Sequence, residues 1–186
     1  GLRVVMPSTV SDARDLLIAS VLSPDPVLYI DDRWLYDQND NLIPISELNL
    51  SKEGPVCLLQ GSDLTLVGSG YTSFQALQIQ GILAEQNISV EVIDLRILNP
   101  FDPKVIIESV QKTGRLLVID GGWRTCGMAG EVIASVTENL DPRVLKCAPQ
   151  RMTLPDAPAP TSKVLEEDYY LNIKKIIQFV SQAYKI

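Results

Sequence analysis

The chain has 186 residues, 46% hydrophobic and 21% charged, which suits one large folded domain, or a domain with part of a second, and excludes a disordered chain. A net charge of −7, with Lys and Arg scattered, offers no basic field to nucleic-acid phosphates. Histidine is absent, which removes the commonest general base, the commonest zinc ligand and any Ser-His-Asp triad.

No apolar run approaches the roughly 18 to 20 residues needed to span a bilayer, and the start lacks the tripartite form of a signal peptide, so no membrane partner is expected. Cytoplasm or an organelle matrix is the expected location. Cys57, Cys126 and Cys147 are odd in number and far apart, and read as free thiols, two of them in strands.

In chain order, the run Leu2 to Met6 is a short apolar strand cut off by Pro7, and Ser8 or Thr9 caps a helix starting near Ser11. That helix carries Ala13, Leu16, Leu17 and Val21 on one side and ends before Pro24 and Pro26. Residues 26–30 supply a second strand. Such a βαβ piece leaves one sheet face and both edges uncovered, so it needs a neighbour.

Breakers between Asn39 and Pro55 place a linker at 37–55, between a piece at 1–36 and a domain at 56–186. Cys57 to Gln60 reads as an edge strand, and Asp63 to Gly68 as an inner one. A helix from Tyr71 to Gln86 follows, with Phe74, Leu77, Ile82 and Leu83 as its apolar positions and Asn87 as its stop. From Glu91 to Glu138, short apolar runs alternate with helical periodicity, the pattern of a parallel βαβα core. Asp102 with Pro103 opens one helix and Met128 to Asn139 forms the next, with Gly121 to Gly127 as the loop before it. Residues 144–148 read as a fourth strand, four prolines from Pro149 to Pro160 as an irregular stretch, and Tyr169 to Tyr184 as a final helix.

Three spots carry candidate chemistry. Gly68, Ser69 and Gly70 sit where a strand hands over to a helix and read as a tight turn in preference to a phosphate cradle, because no third glycine or P-loop lysine follows. Asp94, Leu95 and Arg96 end a strand on the edge where open α/β sheets place ligands, a position equally suited to an ion pair or a subunit contact. Trp123 and Arg124, in a glycine-rich loop, have the interface hot-spot residue types, whereas the neighbouring Cys126 lacks any histidine to activate it. Asp31 and Asp32 have no third ligand nearby and read as solvated loop charges.

The run from Val90 to Glu138, with its segments VIDLR, SVQKTGR and GWRTCGMAGE, and the closing LPDAPAP and KVLE, resembles the C-terminal domain of the beta subunit of thiamine-diphosphate-dependent 2-oxoacid dehydrogenases. Residues 1–36 resemble the end of that subunit's preceding, pyrimidine-binding domain. Gly121, where such chains usually carry an acidic residue, and Asp31, Asp32 and Arg33, where a Glu is common, depart from the pattern.

The resemblance implies a three-layer α/β/α fold with a mostly parallel sheet of five strands, preceded by a partial βαβ remnant of another α/β domain. It implies an intact complex of two alpha and two beta chains that decarboxylates a 2-oxo acid through thiamine diphosphate and Mg²⁺ and passes the acyl group to a lipoyl domain. The family's activating glutamate and active-site histidine lie upstream of the part resembled here. No catalytic, cofactor or metal residue is therefore assigned to this chain, and the fragment alone is expected to be inactive.

The implied partners are an E1 alpha subunit, a second beta subunit and the acyltransferase (E2) core. Asp94, Leu95, Arg96, Trp123 and Arg124 are the candidate subunit interface. A stand-alone scaffold module of the same fold, or a piece of a transketolase-like or deoxyxylulose-phosphate-synthase-like enzyme, are the alternatives.

Overall fold

The computed structural model describes residues 1–41 and 43–184, so residue 42 of the expected linker and the last two residues of the expected C-terminal domain lie outside the described residues. The elements run β1 (Arg3–Val5), α1 (Val10–Leu22), β2 (Val27–Tyr29), β3 (Val56–Leu59), β4 (Leu64–Gly68), α2 (Tyr71–Glu85), β5 (Val90–Asp94), β6 (Ile97–Asn99), α3 (Lys104–Thr113), β7 (Leu116–Trp123), α4 (Met128–Glu138), β8 (Gln150–Leu154), α5 (Lys163–Tyr169) and α6 (Ile173–Ala183).

The larger sheet has the order β3-β5-β4-β7-β8. Only β3 runs antiparallel to its neighbour. Its centre is apolar on both faces because helices cover both, and the period of two in a strand divides those residues cleanly. Leu64, Leu66, Val90, Val92, Leu117 and Ile119 pack toward α2 and α6. Val67, Ile93, Leu116 and Val118 pack toward α3 and α4. The result is the expected α/β/α arrangement with a mostly parallel five-stranded sheet.

One polar cluster is buried in the second layer. Thr65 Oγ1 lies 2.7 Å from Ser109 Oγ and 2.8 Å from Thr113 Oγ1, so α3 is registered on the central strand by hydroxyl contacts as well as by Ile106 and Val110.

A smaller sheet, β2-β1-β6, joins the N-terminal strands to the rest. β1 is parallel to β2 and antiparallel to β6, with Val5 opposite Ile97. Val5, Leu16, Ala19, Leu50 and Ile97 share a core. The neighbour that the βαβ piece needs is thus supplied in part by residues 97–99, which the sequence did not mark as a strand. Three residues beside Pro100 are too few to show alternation.

Several local expectations are corrected. Residues 144–148 are not a strand: Pro142–Val144 is a 3₁₀ turn and the pairing strand is β8, after Pro149, so Cys147 is not in a strand either. β7 runs on through Gly121 and Gly122 to Trp123, with an irregular register against β8. The expected final helix starts later than Tyr169, at Ile173, where Asn172 caps α6 by accepting from the Lys175 amide at 3.0 Å, and the separate short α5 lies before it. In α1 the buried side is Asp15, Leu16 and Ala19, whereas Leu17 and Val21 are exposed. In α2, Ile82 faces solvent and Ala76, Ile79 and Leu83 form the core face.

Candidate functional site

The chain passes from β4 through α2 to β5 on one side of the sheet centre, and from β7 through α4 to β8 on the other, so strand order reverses between β4 and β7. Open α/β sheets form a crevice at the carboxyl ends of such a pair. Here it is a cavity of about 580 Å³.

The two helices that start at this crevice are capped by carboxylates. Asp32 Oδ2 accepts from the Tyr71 amide at 2.9 Å, and its Oδ1 accepts from the Trp34 amide at 3.1 Å. Asp120 Oδ2 accepts from the Ala129 amide at 2.8 Å, and its Oδ1 from the Gly122 amide at 2.8 Å. Each carboxylate sits at the positive end of a helix dipole.

The Gly68-Ser69-Gly70 turn is closed by the same contacts. Gly70 has φ of +52°, and a Cβ there would lie 2.6 Å from Met6 Cε and 2.9 Å from Asp32 Oδ2. The Ser69 amide donates to Thr72 Oγ1 at 3.0 Å. The turn's amides therefore serve the protein's own side chains, and the residues present do not fit a diphosphate. Among the described residues no group of three His, Cys, Asp or Glu gathers where it would hold a metal ion.

The outer wall is aromatic. The Trp34 ring stacks on Tyr71 at 5.5 Å between centroids and meets Tyr170 at 5.8 Å. Gln75, only 2% exposed, lines the cavity from α2. Its Nε2 donates to the Leu171 carbonyl at 3.1 Å, while its Oε1 has no hydrogen-bond partner among the described residues. A carbonyl only accepts, so this contact fixes which amide atom is the nitrogen and leaves Oε1 as the unsatisfied one. Sequence reasoning missed Gln75, a mid-helix glutamine of ordinary appearance, and missed α5, which closes one side of the crevice.

Asp94, Leu95 and Arg96 lie elsewhere and are not on the surface. They are 0%, 2% and 8% exposed. Asp94 accepts from Ser8 Oγ at 2.5 Å and from Ser73 Oγ at 2.8 Å. Burial pushes its carboxyl up to about 6, against the two hydroxyl donors that favour the ionised form, while Asp12 adds to the rise. Arg96 does not pair with Asp94. It has φ of +38°, bridges Asp12 (2.9 Å) and Glu53, and donates to the Gly54 carbonyl at 2.9 Å. The strand end thus binds residues 8–12 and 53–54 to the larger sheet, and its groups are engaged within this chain.

Trp123 and Arg124 are exposed, Trp123 at 52%. Trp123 Nε1 donates to Tyr169 Oη at 3.2 Å, and the loop is tied down by Asp156, which accepts from the Thr125 amide and hydroxyl at 3.2 and 2.7 Å. At Gly127 a Cβ would stand 2.1 Å from the Trp123 carbonyl oxygen, so the loop backbone is folded tightly on itself. Cys126 is a free, exposed thiol with φ of +58°.

A family model described as the transketolase C-terminal domain matches residues 56–176. The pyruvate dehydrogenase E1 component subunit beta of Mycoplasma pneumoniae is 38% identical over 188 residues, which cover all of this chain and 56% of that protein. The acetoin:2,6-dichlorophenolindophenol oxidoreductase subunit beta of Bacillus subtilis is 33% identical over 184 residues, 95% of this chain and 51% of that one. The mitochondrial pyruvate dehydrogenase E1 component subunit beta of Mus musculus is 30% identical over 196 residues, with 53% of it covered. The chain spans about half the length of these curated relatives. Among solved structures, a split-gene transketolase described as an inactive beta4 tetramer superposes with a TM-score of 0.72 at 19% identity, over 99% of this chain and 57% of that one, a likeness of fold.

Proposed function

The chain belongs to the transketolase C-terminal domain family, and on that premise we propose that it is the C-terminal, association-promoting part of a beta-type subunit of a 2-oxoacid dehydrogenase. The observation that carries this reading is the similarity of the chain, along its whole length, to pyruvate dehydrogenase E1 beta subunits. In the intact complex, two alpha and two beta chains would decarboxylate a 2-oxo acid with thiamine diphosphate and Mg²⁺ and hand the acyl group to a lipoyl domain on the acyltransferase core. The location that follows is the cytoplasm or an organelle matrix.

The role of this chain in that complex is mechanical. Trp123 and Arg124 stand on a loop that is exposed yet held by Asp156 and Tyr169, the pairing of rigidity and accessible hot-spot side chains that suits a subunit contact. A second apolar surface lies on α1, where Leu17, Val21 and Leu22 are 47%, 78% and 77% exposed. Burying those side chains against another protein surface would contribute on the order of 1.5 to 3 kcal/mol for each one fully covered. The interface proposal therefore rests on Trp123, Arg124 and the α1 face, with Asp94, Leu95 and Arg96 as the internal brace behind it.

Titrating thiamine diphosphate with Mg²⁺ into the isolated chain tests the non-catalytic part of the reading. No saturable binding is expected up to millimolar cofactor. Mg²⁺-dependent micromolar binding would overturn it.

A further inference from the structure

We propose that residues 155–170, with α5 at their centre, form a hinged strap that opens as a unit over the crevice between β4 and β7 while the rest of the chain stays folded. This inference stands apart from the assembly reading above.

The strap has no anchor in the core. Between Leu154 and Ile176 no residue is buried, and the two aliphatic side chains of α5, Val164 and Leu165, are 72% and 56% exposed. Its other side borders the crevice through Lys163, Glu166, Glu167 and Tyr170 and leaves about 580 Å³ unfilled beneath. An element that buries apolar side chains is released only when the core melts, whereas one that buries none opens at a small fraction of that free energy.

Polar contacts hold the strap down. Lys175 on α6 donates from Nζ to the carbonyls of Glu167, Asp168 and Tyr170 at 2.8, 2.6 and 3.1 Å, and so satisfies carbonyls that the end of α5 leaves without helical partners. Tyr169 Oη accepts from Trp123 Nε1 and donates to the Ala157 carbonyl at 2.7 Å. At the C-terminal hinge, Gln75 Nε2 holds the Leu171 carbonyl. Water replaces each of these bonds at little net cost, which makes them latches and not a core.

Two further features favour opening. Gln75 Oε1, buried and unpartnered among the described residues while the strap is down, gains a water partner once the strap lifts. Asn172 caps α6 without help from α5, so α6 keeps its place on the sheet when α5 leaves. Pro155, Pro158 and Pro160 stiffen the N-terminal arm, which concentrates the movement at its two ends, after Leu154 and at residues 170–172. Opening widens the crevice and frees the Trp123 indole from its tether, so the strap governs access to both.

Amide hydrogen exchange of the whole chain, followed by NMR over a urea series below the unfolding transition, tests the strap. The amides of residues 166–170 should exchange roughly a hundredfold faster than those of β4 and β5 and with a much smaller dependence on urea, the mark of a sub-global opening. The side-chain amide protons of Gln75 should exchange in step with them. Lys175→Met and Tyr169→Phe should each speed the exchange of residues 166–170 about tenfold, the worth of one hydrogen bond, and leave β4 and β5 unchanged. The proposal is overturned if residues 166–170 share the rate and urea slope of β4, or if they exchange as an unstructured peptide, since no closed state then exists. It also fails if either substitution leaves the strap amides unmoved or speeds β4 equally.

Discussion

The Asp32 carboxylate accepts the hydrogen bond of the Tyr71 amide at 2.9 Å, across 39 residues of sequence. A residue of the N-terminal segment thereby caps the helix that follows the central strand of the larger sheet. Asp32→Ala should cost about 1 to 2 kcal/mol, the usual worth of an N-cap with its dipole term. It should also free the helix terminus for solvent anions. Urea unfolding with and without sulfate checks both effects: sulfate should stabilise the variant more than the parent, and equal responses would argue against the cap.

Asp94 gives the stability a pH dependence of definite sign. Its folded carboxyl titrates near 6, above the ordinary value of 3.8, so the folded state binds the proton more tightly than the unfolded chain. The contribution is full below pH ~4, falls as pH rises to ~6, and stays lost above, by a few kcal/mol at most. Asp94→Asn should flatten that part of the profile. The slope is read from urea midpoints between pH 4 and 7, and a slope unchanged in Asp94→Asn would show that another group is responsible.

Arg96 spans two carboxylates and a carbonyl from a left-handed backbone position. Lysine keeps the charge but lacks the planar fork that reaches all three, so Arg96→Lys should lose about 2 kcal/mol of the roughly 3 to 5 expected when a largely buried pair is broken outright. Residues 43–55 should then detach first. Limited proteolysis should cut there faster in the variant than in the parent, and an unchanged cleavage rate would refute the brace.

Thr65 ties β4 to α3 through Ser109 and Thr113. Thr65→Val keeps the shape and removes the shared hydroxyl, which leaves buried Ser109 short of a partner and should cost about 1 to 3 kcal/mol. A loss no larger than that of a surface substitution in the same thermal-melt series would mean that the hydroxyl contacts are incidental.

The strands of the larger sheet were readable because both their faces are covered: Leu64, Leu66 and Val67 in one strand and Val90, Val92 and Ile93 in the other put apolar side chains on both faces, which a strand between two helix layers needs. β6 and β8 were not. β6 is too short to carry a pattern, and β8 is a half-buried edge strand, Gln150–Leu154, of mixed polarity after a proline. The exposed side of α1 misled for a related reason, since Leu17 and Val21 look like core residues on hydropathy alone. At the strand end the charges of Asp94 and Arg96 were legible, but their partners were not. Ser8 is 86 residues from Asp94 and Asp12 is 84 from Arg96, and no local spacing encodes such a contact. The crevice was hidden similarly, because its walls come from the N-terminal segment, α2, β7 and α5 together.

The role proposed for the chain is association with an alpha-type subunit. The direct measurement is native mass spectrometry after co-expression of the chain with an alpha-type subunit of the same family, alongside Trp123→Ala and Val21→Glu variants. A stoichiometric complex containing both chains, weakened by either substitution, is the predicted result. Two proteins that run separately, or a complex indifferent to both substitutions, would contradict it.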